Sequence, residues 1–74
     1  MPLLNLTKKV ADSFGLAHKI ELDVLRYYIY TTSHSKLVKE VKKIEDAKYL
    51  RILWEVGLSA PLQSVVLHQL DKIS

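Results

Sequence analysis

Apolar residues recur along this chain at helical spacing. Leu6, Val10 and Phe14 fall on one face, and so do Leu37, Val41 and Ile44, the three-and-four rhythm of a helix with one side turned to a core. Punctuation divides the pattern into five predicted helices. The first runs from about Asn5 or Thr7 to Phe14, with Gly15 as a left-handed stop. The second runs from about His18 to Thr32, where the β-forming letters of "RYYIYTT" make a strand the competing reading. Ser33, His34 and Ser35 interrupt the pattern, and Ser35 caps a third helix from Lys36 to Lys43. Asp46 caps a fourth, Ala47 to Val56, which Gly57 ends. Ser59 caps a fifth with Pro61 in its first turn, where a missing N–H costs nothing. The expected fold is all-α: one domain over residues 1–74, a compact bundle of four to five short helices.

The wheels separate two kinds of helix. In the third, lysines oppose Leu37, Val41 and Ile44, as in a surface helix with its basic side outward. The second, fourth and fifth are apolar over most of their circumference. Their polar stripes are Lys19, Asp23, Arg26 and Tyr30; Lys48, Arg51 and Glu55; and Ser64, His68, Asp71 and Lys72. Three such helices cannot all be central in so short a chain. Some apolar faces are therefore expected to meet another subunit, making the protein a homodimer or larger.

Composition sharpens this. Hydrophobic residues make up 49% of 74 positions and cysteine is absent, so no disulfide or thiolate zinc site can staple a small core. No apolar run approaches the roughly 18 residues of a membrane span. The start, "MPLLNLTKKV", lacks the features of a signal peptide, so a cytoplasmic protein is expected. Few labile residues and short connections fit a thermophile. The net charge is +3, and all of it lies in one segment. Lys36, Lys39, Lys42, Lys43, Lys48 and Arg51 face only Glu40, Glu45 and Asp46, while the other five bases and five acids cancel. Such asymmetry suits an anionic partner; a solvated helix face is the plainer reading.

Three windows have the length and punctuation of a helix-turn-helix motif. With Gly57 at the turn, Leu53 stands where a small residue is wanted and Gln63 where a buried aliphatic is wanted. The reading helix would then carry no arginine and no net charge, so Ile52 to Leu70 reads better as a helical hairpin. With Gly15 at the turn, Glu21 takes a buried position and the next helix looks like core. From Ser35 to Val56 charge and geometry agree: Lys48 and Arg51 would face a groove, with Lys36, Lys39, Lys42 and Lys43 on phosphates. A winged-helix version would need a wing strand after Gly57, which Pro61 and "HQLDK" disfavour. The spacing of apolar residues in parts of the chain resembles that of small archaeal winged-helix proteins; no signature accompanies it and no residue role follows from it.

Little else suggests chemistry. His18, His34 and His68 have no metal-ligand spacing, and no glycine-rich phosphate loop or nucleophile–base arrangement is present. No cofactor or enzymatic activity is expected. Phe14, Tyr28 and Trp54 read as core, and Tyr30 as partly buried with a wet hydroxyl. The leading expectation is a dimeric, helix-turn-helix-like protein binding duplex DNA. The alternative is a protein-interaction module or accessory subunit of a larger complex, using the apolar faces of the second, fourth and fifth helices.

Overall fold

Among the described residues helix is present from the first, Pro2. The computed structural model describes residues 2–74 and, among them, five helices: α1 Pro2–Asp12, α2 Gly15–Thr31, α3 His34–Lys42, α4 Ala47–Glu55 and α5 Ala60–Ile73. No strand occurs among the described residues. "RYYIYTT" lies within α2 apart from its last threonine, and the stretch weighed as a wing is α5.

α1 starts earlier than the expected Asn5 or Thr7, because its inward face is Leu3, Thr7 and Val10. Thr7 is no cap. It is fully buried inside the helix, where its hydroxyl donates to the Leu3 carbonyl at 2.7 Å and so satisfies itself locally. The C-terminal end of α1 is closed by its own continuation. Ser13 Oγ donates to the Val10 carbonyl at 3.1 Å, and His18 Nδ1 lies 3.1 Å from the same oxygen and 3.3 Å from Ser13 O. Both partners are acceptors, so Nδ1 carries the proton. Gly15 has φ +64° as expected of a left-handed stop, and the chain re-enters a helix at that residue.

α3 begins two residues before expectation, with Ser33 rather than Ser35 at its N-cap; the Ser33 carbonyl accepts from Leu37 N–H at 3.1 Å. α4 begins where expected, and the Asp46 carboxylate accepts from Lys48 N–H at 2.9 Å. Gly57 has φ +99° and Leu58 folds back into the core. α5 follows Ser59 with Pro61 in its first turn.

α1 packs against α2, α3 and α4, and α5 closes over α3 and α4. All five helices meet at a cavity of about 10 Å³ lined by Leu3, Ile29, Leu37, Val41, Leu53, Leu58 and Leu62. Apolar and at the threshold for a single water, it is a packing gap rather than a ligand site. α2 lies at the edge of the bundle, packed chiefly on α1. Of its 17 residues only Leu25 is fully buried.

Three polar ties hold helix ends and edges. Gln69 Nε2 donates to the Ile44 carbonyl at 2.8 Å, both buried, pinning the end of α3 to α5. Arg26 Nε donates to the Val56 carbonyl at 3.2 Å, joining α2 to the end of α4. The Tyr28 hydroxyl lies 3.0 Å from each carboxylate oxygen of Glu40, joining α2 to α3.

Three aromatic assignments change. Phe14 is 86% exposed because it stands in the two-residue link between α1 and α2 rather than on the α1 face. Trp54 is 39% exposed, on the flank of the polar stripe of α4. Tyr30 is 90% exposed, not partly buried. Tyr28 is half-buried, with its ring against the core and its hydroxyl on Glu40.

Candidate nucleic-acid interface

The side chains that form the basic face are sorted by helix geometry. Leu37, Val41 and Ile44 point inward, and Glu40, at the edge of that arc, is buried as well. Lys36, Lys39 and Lys42 are left outside, and Lys43 follows at the C-cap. Lys39 and Lys42 occupy the last turn, where cations also complement the helix dipole.

None of these four lysines has an anionic partner. Among the described residues the single ion pair is Arg26–Asp23 at 3.7 Å, on the exposed side of α2. Glu40, the acid of α3, faces away from its neighbouring lysines, with the Tyr28 hydroxyl as its partner. Asp46 is engaged in capping α4. Two of the three acids that offset the cluster in sequence are thus committed to the fold, and the third, Glu45, is exposed beside Lys43.

The six basic residues singled out by sequence do not gather in one cleft. Lys42 lines an open cleft of about 490 Å³ with Ser64, Val65, His68, Gln69 and Lys72 of α5. Lys43 turns to a separate depression shared with Lys8 of α1 and with Glu45 and Asp46. Lys48 lines a third, with Val10, His18 and Glu55, and its ammonium lies 5.6 Å from the centroid of the Tyr49 ring. Arg51 is exposed on α4. Lys36, Lys39 and Lys42 therefore define the free basic face of α3, whereas Lys48 is partly occupied by a cation–π contact.

Sequence reasoning placed Lys72 outside the cluster. The packing of α5 on α3 puts it beside Lys42, across the same cleft as His68 and Ser64. Its register was visible: Ser64, His68 and Lys72 recur every four residues, opposite the buried Leu62, Val66 and Gln69 side. Which helix that stripe would lie beside was not.

Among the described residues no three His, Asp or Glu side chains converge as a metal-ligand set, and no helix is long and apolar enough to cross a membrane. No protein-family model, curated protein or solved structure matches the chain. The site is therefore read from its own residues.

Proposed function

We propose that this is a small, non-enzymatic nucleic-acid-binding protein that acts as a homodimer on duplex DNA. Lys36, Lys39, Lys42 and Lys43 are its phosphate-contacting face, Lys72 and His68 extend that face onto α5, and Lys48 and Arg51 flank it. One observation carries the proposal: the whole net charge of the chain lies on or beside one helix whose exposed lysines have no carboxylate partner. Unpaired lysines on a rigid face attract phosphates and release the counterions condensed on them. The helix-turn-helix part of the proposal is limited to α3 and the start of α4, with α3 on the backbone and Lys48 and Arg51 nearest the bases.

Fluorescence anisotropy of a labelled duplex, titrated at several salt concentrations, tests this. Log affinity should fall linearly with log salt, with a slope of roughly −4 to −5 if Lys36, Lys39, Lys42, Lys43 and Lys72 each neutralise one phosphate. Absence of binding to duplex and single strand alike at low salt would refute it.

A second reading, an interaction module or accessory subunit of a larger complex, is favoured by the exposed apolar side of α2, where Leu16, Ile20, Val24 and Tyr27 stand in solvent. It takes the lead if nucleic acid does not bind.

A further inference from the structure

The apolar surplus expected from three helices is concentrated on one. α4 exposes Trp54 and α5 exposes Leu67, each in isolation, whereas α2 exposes Leu16, Ile20, Val24 and Tyr27 at 44% to 75%. These four recur at steps of four, four and three residues, so they form a continuous strip opposite Leu25, the residue by which α2 is rooted in the core. Phe14 stands at the head of the strip and Tyr30 at its foot.

We propose that this strip is a dimer interface in which α2 packs antiparallel on α2 of a second copy of the chain, the two-fold axis passing at the level of Leu22. The proposal deepens the dimeric part of the function above and does not depend on nucleic-acid binding.

Two features of the strip fit a second copy. The first is area. Phe14, Tyr27 and Tyr30 leave on the order of 500 Å² of aromatic surface in water. The aliphatic members bring the strip to roughly 800 Å², about what each partner gives to a standard interface and more than a typical monomer exposes in one patch.

The second is shape. In an antiparallel pair centred on Leu22, residues whose numbers add to 44 lie at the same level. Ile20 then meets Val24 of the other copy, and the bulky Tyr27 meets the small, exposed Ala17. Phe14 comes level with Tyr30. A parallel pair would set Tyr27 on Tyr27 and Ala17 on Ala17, large against large and small against small.

Sedimentation equilibrium on the full chain and disulfide trapping test the interface together. At roughly 100 µM, well above the dissociation constant expected of a standard interface, the wild type should be dimeric. Ile20→Lys, a change at a half-exposed position, should keep its helical circular dichroism and weaken dimerisation at least tenfold. A wild type that stays monomeric, leaving the strip to a foreign partner, would overturn the proposal; so would an Ile20→Lys variant as dimeric as the wild type.

Should Ile20→Lys fail to fold, cysteine substitutions decide, since the chain has none of its own. Mild oxidation of mixed Ile20→Cys and Val24→Cys proteins should yield the mixed disulfide in preference to either self-linked product. Preferential self-linking of each variant would instead indicate a parallel pair and contradict the register. DNA affinity is measured separately, so a monomer that binds DNA would remove only the dimer from the proposed function, and a dimer that binds none would remove only the DNA.

Discussion

The Tyr28 hydroxyl lies 3.0 Å from both carboxylate oxygens of Glu40, and this one contact couples the helix with the exposed apolar strip to the helix with the basic face. It supplies a donor to a carboxylate whose residue is 6% exposed, a group that is costly to leave without hydrogen bonds. Tyr28→Phe should therefore destabilise the protein by about 1–3 kcal/mol in urea unfolding. Adding Glu40→Gln should recover part of that loss, because an amide is cheaper to bury than an unpaired charge. Equal stability of wild type and Tyr28→Phe would show that the contact contributes nothing.

The same pair makes stability depend on alkaline pH. Burial foremost, then the hydrogen bond to Glu40 and its negative charge, push the Tyr28 phenol above its ordinary value of 10.0, with the Thr32 side chain opposing. A raised folded-state value means that the folded form holds the proton more tightly than the unfolded chain. The stabilisation is complete below pH about 10 and disappears as pH rises through the folded value. Urea midpoints should fall more steeply from pH 9 to pH 11 for the wild type than for Tyr28→Phe. Parallel curves would contradict the assignment.

Gly57 has φ +99°, and a β-carbon built there would meet nothing within 4 Å. The cost of Gly57→Ala is thus backbone strain rather than a clash, about 1–2 kcal/mol. Asparagine tolerates positive φ better, so Gly57→Asn should cost less than alanine. An alanine variant as stable as wild type would mean that the α4–α5 turn adopts another backbone.

Gln69 is the buried amide that closes the end of α3 through Ile44 O. Gln69→Leu keeps the volume and removes the donor, leaving a buried carbonyl unsatisfied at a cost of about 1–3 kcal/mol. The measurement is thermal or urea unfolding, and the hydrogen bond is dispensable if the leucine variant is more stable than wild type.

Much of this fold was legible in the sequence, and where it was not the reasons are local. Helix α4, with Asp46 before it and Gly57 after it, was readable because cap and stop are both short-range chemistry. The start of α1 was misread because the apolar spacing from Leu6 gives no sign that the buried face begins at Leu3, which only tertiary packing decides. Phe14 was placed in the core because its spacing from Val10 is helical, yet the helix ends at Asp12 and the phenylalanine swings out. The basic face of α3 could be read from one helix alone. Its extension to Lys72 could not, because it depends on which helix α5 packs against.

Exposed lysines contribute little to stability, so the basic face can be altered without disturbing the fold. Lys39→Gln with Lys43→Gln should lower the slope of log affinity against log salt by roughly 2. Lys42→Gln with Lys72→Gln should do the same, since both line one cleft. Unfolding midpoints should barely move. If the second pair has no effect while the first does, the interface ends at α3 and does not reach α5.

The most direct measurement is an amide chemical-shift map of the ¹⁵N-labelled protein titrated with a short duplex at low salt. Shifts should concentrate on residues 36–43 of the basic face, on Lys48 and Arg51 at the start of α4 and on residues 64–72 across the cleft, and fade on adding salt, with the exposed side of α2 unmoved. Shifts confined to Leu16–Tyr30, or none anywhere, would contradict nucleic-acid binding by the basic face.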